Sequence, residues 1–243
     1  MIGAQALNKR FGDVVAVQEV SFAARDGAIT GLVGPNGAGK STTLRMLYTV
    51  LRPDAGTAVI DEIDVVKDPL AVRKRLGVLP HSSGVYPNLT ARENVRYFGA
   101  LHGLGGEALD RRVDELLGLL DLRTIADRRA KGFSQGEKVK VAIARALVHS
   151  PRNLILDEPT NGLDVMAIRT LRDVLRNLRD QGTCILFSSH VMQEVAALCD
   201  AAIVIGRGRV LAQGSPDDIK QATGTSSLED AFVALLGRPA DTT

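Results

Sequence analysis

The chain has 243 residues, 45% hydrophobic and 24% charged, which is ordinary for a soluble globular protein and enough for one large domain or a core with a smaller lobe. Its 30 basic and 28 acidic residues leave a formal charge of +2, so the charge balance does not call for nucleic acid as a partner. No apolar run approaches the roughly 18–20 residues of a membrane helix, and "MIGAQALNKRFGD" has no apolar signal core, so the expectation is a cytosolic protein that meets a membrane only through a partner.

In chain order, "ALNKRFG", "VVAV" and "VSFAA" read as short strands, which ahead of a glycine-rich loop suggest a small antiparallel sheet beside the main one. "AITGLV" (28–33) is nearly continuous in apolar residues, fit for a strand buried on both faces. It runs into "GPNGAGKS" (34–41) and then a helix, "STTLRMLYTVL". The eight residues fit G-x-x-x-x-G-K-[ST] between a strand and a helix, the context that defines a phosphate-binding P-loop. Gly34, Gly37 and Gly39 let the backbone wrap phosphate oxygens with its N–H groups inward. Lys40 adds a point charge near the β- and γ-phosphates, and Ser41 offers an oxygen to Mg²⁺. The candidate cradle comprises Gly34, Pro35, Asn36, Gly37, Ala38, Gly39, Lys40, Ser41 and Thr42, with ATP and Mg²⁺ as its ligands.

Next come a strand pair, "GTAVIDEIDV"; a helix, "DPLAVRKRLG", with Asp68 as cap, Pro69 in the first turn and Gly77 past the end; and a strand, "VLP". From about residue 88 to 150 the pattern is helical only. "EALDRRVDELLGLLDL" puts Leu109, Val113, Leu116, Leu117 and Leu120 on one stripe. In "GFSQGEKVKVAIARAL" (132–147), Val139, Ile143 and Leu147 recur at helical spacing, with Ala142 and Ala146 beside them. Ser134, Gln135 and Gly136 open this helix, where exposed amides and a hydroxyl suit an anion. That makes a second phosphate cradle nearly a hundred residues from the first.

"NLILDE" (153–158) is a buried strand ending in two carboxylates. In a P-loop fold it is expected to lie beside the P-loop strand, so that Asp157 holds Mg²⁺ through water and Glu158 polarises the attacking water as general base. A helix with Ile168, Leu171, Leu175 and Leu178 in phase follows, then a strand "TCILFSS", a short helix and a hairpin, "AAIVIG-RG-RVLAQG". Two capped helices start near Ser215-Pro216 and Ser227. Cys184 and Cys199 lack metal-ligand spacing and read as reduced packing residues. Strands alternating with helices imply a parallel α/β core, and the helical stretch a second lobe.

"GPNGAGKST", "FSQGE", "LILDEP", "NGLD" and "SSH", in this order and spacing, resemble the ATP-binding subunit of ABC transporters over essentially the whole chain. The resemblance implies an α/β fold: a P-loop NTPase (RecA-like) core with a small antiparallel β subdomain and an α-helical signature subdomain. The core would span 1–87 and 151–220, the helical subdomain 88–150 and a C-terminal helical tail 221–243. It implies a transport-coupled ATPase in which two chains pair head to tail, as a homodimer or paired cassette, around two ATP molecules. Ser134, Gln135 and Gly136 would then touch the γ-phosphate of an ATP held by the other copy, which accounts for the second cradle. Asp164 would run along the dimer interface, and His190 would contact the γ-phosphate and the attacking water. Phe11 occupies the position of an adenine-stacking aromatic; on its own it reads equally as a core residue.

Two departures from the family pattern stand out. His81 takes the place of a glutamine beside Mg²⁺ and the transmembrane partner. It reads either as a group that hydrogen-bonds a water and makes the site pH-sensitive, or as an exposed histidine in a loop that signals through its backbone. In the signature, Phe133 replaces leucine, Gln135 glycine and Glu137 glutamine, while Ser134 and Gly136 are intact. "SQG" and the tail "GTSSLEDAFVALL" look most like the ABC-2 exporter group, and within it like sodium-extrusion and drug-export cassettes. This implies a separately encoded integral membrane permease and a place on the cytoplasmic face of the cell membrane. "HSSGVYPNLTARENV" (81–95), which joins the two lobes, is the expected docking segment. The alternative is a non-transport ABC ATPase acting on DNA or ribosomes, opposed by the single P-loop, the absence of a long heptad run and the near-neutral charge. A catalytically dead regulatory cassette is opposed by intact Lys40, Asp157 and Glu158.

Overall fold

The computed structural model describes residues 1–82 and 84–237. The first sheet is built on a long hairpin, β1 (Ile2–Phe11) and β2 (Val14–Ala24), extended by β4 (Ala55–Ile60) and β5 (Ile63–Asp64) in the order β2-β1-β4-β5, all antiparallel. The second holds β3 (Ile29–Val33), β6 (Leu76–Leu79), β7 (Asn153–Asp157), β8 (Cys184–Ser189), β9 (Ala201–Gly206) and β10 (Arg209–Gly214). Its order is β10-β9-β3-β8-β7-β6, parallel throughout except for the β9–β10 hairpin.

Every residue of β3, β7 and β8 is buried, which is why these strands read as unbroken apolar runs. Their side chains alternate between two cores. Ile155 and Leu186 join Ile2, Leu7, Phe22, Leu44 and Leu47 beneath the small sheet and α1 (Lys40–Leu47). Leu154, Leu156, Ile185 and Phe187 face the helical side. There they meet the stripes of α4 (Gly106–Leu119), α5 (Gln135–Leu147) and α6 (Val165–Asp180). The expected stripe residues Leu109, Val113, Leu116, Leu117, Leu120, Val139, Ile143 and Leu147 are all buried. On α6, Ile168 and Leu178 lie at the stripe's half-buried edge, and Ala167 and Val174 fill its centre.

The remaining helices are α2 (Pro69–Arg75), α3 (Ala91–Leu101), α7 (Met192–Leu198), α8 (Pro216–Thr223) and α9 (Leu228–Gly237). Asp68, Ser215 and Ser227 accept backbone N–H bonds from Ala71, Asp218 and Asp230, as helix-starting side chains should. Of the tail expected over 221–243, residues 238–243 lie outside the described residues, as does Ser83 of the segment 81–95.

Four expectations are corrected. The strand carrying Asp157 does not lie beside the P-loop strand: β8 runs between β3 and β7. "VVAV" and "VSFAA" form one strand of 11 residues, its hairpin register shifted between Ala4 and Arg10. The helix after the P-loop stops at Leu47, where Thr49 turns to φ 66 and both Val50 and Leu51 donate to the Arg45 carbonyl. Gly77 is not a helix terminator. It sits inside β6, where a Cβ would lie 2.3 Å from the Ala146 carbonyl oxygen of α5.

Candidate functional site

The C-terminal end of β3 runs into the P-loop, and the loop's glycines are needed where it touches other strands. A Cβ on Gly34 would lie 2.3 Å from the Ile205 carbonyl oxygen, and one on Gly39, at φ 101, 2.5 Å from that of Ala16. Gly39 is the N-cap of α1 and offers no side-chain cap, so the first amides of this helix keep their donors for another acceptor. A cleft of about 560 Å³ opens over them, lined by the loop from Pro35 to Thr42 and by Val14, Val15, Ala16, Arg45, His81, Glu158, Asn161 and His190.

Lys40 is 5% exposed and folds back into the loop. Its ammonium donates to the Gly34 carbonyl at 2.7 Å and the Pro35 carbonyl at 3.2 Å, and lies 3.6 Å from Glu158 Oε1. Burial lowers its pKa below the ordinary lysine value, although the charges of Glu158 and Asp157 act the other way. The other carboxylate oxygen of Glu158 lies 2.6 Å from His190 Nδ1. With Glu158 ionised, that bond places a hydrogen on Nδ1. Glu158 itself has φ 54, a left-handed backbone uncommon for a side-chain-bearing residue.

Asp157, at the end of β7, is 2% exposed. Its Oδ1 accepts from Ser188 at 2.6 Å and from Ser41 at 3.3 Å. Its Oδ2 is buried with no partner among the described residues. An unpaired buried carboxylate oxygen beside a serine hydroxyl is a hard-oxygen donor set of the kind Mg²⁺ takes, so the residues present fit that ion.

The signature residues sit elsewhere. Ser134 caps α5 in a reciprocal box: its hydroxyl accepts from Glu137 N–H at 3.2 Å, and the Glu137 carboxylate accepts from Ser134 N–H at 2.7 Å. The glutamate that departs from the family pattern thus completes a cap, and Phe133, the other bulky departure, is a buried core residue. Gln135 packs over Gly162, and Gly136 faces Leu163. Asp164 caps α6, accepting from Ala167 N–H at 2.8 Å. Among the described residues, none of Ser134, Gln135, Gly136 or Asp164 lines the cleft. Phe11 ends β1 opposite Val14, 48% exposed, with the Lys9 ammonium 5.7 Å from its ring centre; Val14, Val15 and Ala16 are the hairpin residues that line the cleft.

Sequence reasoning missed the side chains that hold these groups in place. Ser188 touches both acidic residues. Glu194, 8% exposed, accepts from Thr160 at 2.8 Å and Ser189 at 3.0 Å, tying the turn after Glu158 to the loop that carries His190. Only "SSH" itself hinted at the first, since its serines end a buried strand.

Fold and cleft together define a P-loop nucleoside triphosphatase. Residues 17–161 match the ABC transporter family, and the chain belongs to it as an ATP-binding subunit that hydrolyses ATP. It is 40% identical over 243 residues to the ABC transporter ATP-binding protein NatA of Bacillus subtilis, with 98% of this chain and 99% of that one covered. To the Nod factor export ATP-binding protein I of Burkholderia lata it is 41% identical over 210 residues, 86% of this chain and 69% of the other. Among solved structures it resembles the dimeric post-hydrolysis state of the ATP-binding cassette MJ0796 bound to ADP and Pi. The TM-score is 0.81 at 26% identity, covering 88% of this chain and 98% of that one. The reading as a non-transport ATPase on DNA or ribosomes is set aside, because these relatives are transporter subunits. No helix among the described residues is long and apolar enough to cross a membrane.

Proposed function

We propose that this subunit powers an exporter, that two copies close head to tail on two ATP molecules, and that a separate integral membrane permease docks between its helical lobe and its core. The observation that supports this best is a separation. Lys40, Ser41, Glu158 and His190 line one cleft, whereas the capped N-terminus of α5, with Ser134, Gln135 and Gly136, lies outside it. One phosphate cannot use both; two phosphates in a head-to-tail pair can.

In this reading the amides of the loop Gly34–Thr42 and the Lys40 ammonium hold the β- and γ-phosphates. Ser41 and Asp157 would hold Mg²⁺, which when bound neutralises charge on the β- and γ-oxygens. Glu158 accepts the proton of the attacking water as general base, with His190 holding its Oε2 and turning Nε2 toward the γ-phosphate. Water attacks in line and no covalent intermediate forms. Phe11 stacks on adenine beside the hairpin edge that lines the cleft. His81, also in the lining, takes the water-bridged role, and Asp164, held rigid as a helix cap, meets the partner copy.

The permease site is a groove of about 590 Å³ lined by Leu70, Leu76, Phe98 and Leu101 with Arg73, Lys74, Arg145, His102 and His149, and by no carboxylate among the described residues. It suits an acidic amphipathic helix. Tyr86, 45% exposed in the joining segment, packs edge-on against Tyr97 nearby. The lobe 88–150 would then turn against the core, 1–87 and 151–220, as ATP closes the pair, with the tail from 221 following the core. The protein would sit peripherally on the cytoplasmic face of the cell membrane, with no nucleic-acid partner. The sodium-ion cargo implied by the resemblance is chosen by the permease.

Mixing a Lys40→Ala chain with a Ser134→Arg chain tests the sandwich. Each homodimer lacks an intact composite site, and the heterodimer has one, so activity should partly return on mixing. Full activity of the Ser134→Arg homodimer would count against the arrangement. Pull-down of the tagged chain from detergent-solubilised membranes should recover one integral membrane protein.

A further inference from the structure

We propose that Ser188 is a positioning residue of the ATPase site: its hydroxyl, held between the two acidic residues, sets which oxygen Asp157 presents to the cation and anchors the backbone from which Glu158 reaches its water. The inference rests on the roles assigned above to Asp157 and Glu158.

Placement comes from the sheet. Because β8 runs between the P-loop strand and β7, its C-terminal residues stand where the two sides of the site meet. The β7–β8 register pairs Asp157 directly with Ser188. Ser188 is fully buried, so its polar atom must be satisfied internally. A hydroxyl has one proton to give and lone pairs to receive. The Glu158 amide, 3.0 Å from Oγ, can only donate, so the serine proton goes to Asp157 Oδ1 at 2.6 Å. No other assignment satisfies both contacts.

Two consequences follow. Oδ1 of Asp157 already accepts two hydroxyls, from Ser188 and Ser41, while Oδ2 has no partner among the described residues. The carboxylate is therefore turned with its unpaired oxygen free for a ligand. Glu158, one residue on, has a strained φ of 54, and the bond from its N–H to Ser188 is a fixed contact on that turn. Any side chain without an oxygen at position 188 would release the carboxylate and this backbone together.

The test compares Ser188→Ala and the near-isosteric, weakly donating Ser188→Cys with wild type and with Asp157→Asn. Mg²⁺ titrations of ATPase activity give the half-maximal concentration. Mn²⁺ binding in the presence of ATP, followed by electron paramagnetic resonance, gives cation affinity without turnover. Both serine variants are expected to weaken cation binding about 10- to 100-fold, as loss of a group that orients a metal ligand does, with metal-free ATP binding and melting temperature near wild type. Wild-type cation dependence in folded serine variants would overturn the inference. So would failure of both to fold, since the hydroxyl would then be serving the sheet. If Asp157→Asn also leaves Mn²⁺ binding unchanged, the fault lies with the assignment of Asp157 as cation ligand.

Discussion

Replacing Glu158 by glutamine should separate binding from chemistry, and the contacts of the carboxylate say in which direction each will move. One oxygen lies 2.6 Å from His190 Nδ1, the other 3.6 Å from Lys40 Nζ. An amide keeps one acceptor and turns the other atom into a donor. The shorter contact will hold the oxygen, so the NH₂ group faces Lys40, and the lysine loses its charged neighbour while keeping the Gly34 and Pro35 carbonyls. At 3.6 Å and an effective dielectric of about 20, the lost attraction is about 4–5 kcal/mol gross. Desolvation of a pair this buried cancels most of it, leaving roughly 1 kcal/mol net. In wild type, phosphate competes with this carboxylate for the ammonium, so ATP should bind the variant about fivefold more tightly. Without a base, kcat should fall by about 10²–10⁴, or ~3–5 kcal/mol on the barrier. Phosphate release measures turnover, equilibrium binding measures affinity, and a sizing column should show an ATP-bound dimer accumulating. Turnover within tenfold of wild type would move the base elsewhere, with His190 the next candidate. Weakened ATP binding would refute the competition argument.

Lys40→Ala should lower ATPase activity by at least about 100-fold, because it removes the only side-chain cation of the phosphate loop; wild-type turnover would sink the P-loop assignment. Asn94, fully buried, accepts from Tyr86 N–H at 2.9 Å and donates to the carbonyls of Tyr86, Leu89 and Thr90, so Asn94→Ala should cost about 2–4 kcal/mol and lower the melting temperature by about 5–10 °C. Tyr86→Ala, by contrast, should leave melting and ATPase activity of the purified protein intact while recovery of the permease from membranes falls; joint loss of stability and activity would make Tyr86 a packing residue. Burial, reinforced by the stacked His102 ring 3.6 Å away, pulls His149 down to about 4. Its folded pKa lies below that of a free imidazole, ~6.5, so the stability it contributes is present above that value and is lost as pH falls toward 4. The urea midpoint should drop between pH 7.5 and 5, and less steeply in His149→Gln; equal slopes would remove His149 from the account.

The groups to which the proposed chemistry is assigned stood out in the sequence because each is a short contiguous pattern whose meaning is local. A glycine loop between an apolar strand and a helix, two carboxylates at the end of a buried strand, and a capped helix with an apolar stripe each require only neighbours a few residues away. The helical stripe of Leu109, Val113, Leu116 and Leu117 and the caps at Asp68, Ser215 and Ser227 were legible for the same reason. Strand order was not. Hydrophobic period tells β3, β7 and β8 to be buried on both faces but is the same for all three, so it could not say that β8 separates the other two. That single placement decides how Asp157 reaches the P-loop, and it introduces Ser188 between the acids. The Gly162 seat of Gln135 is also a contact between distant parts of the chain, whereas the Glu137 cap on Ser134 and the Asn94 bonds to Tyr86, Leu89 and Thr90 are local ones that the sequence reading passed over. Sequence by itself determined which residues have the chemistry and immediate spacing that suit phosphate, cation and water, since those are local properties. Tertiary structure alone decided which meet in one cleft and which are left outside it, because strand register and core packing join segments whose sequences carry no mark of one another.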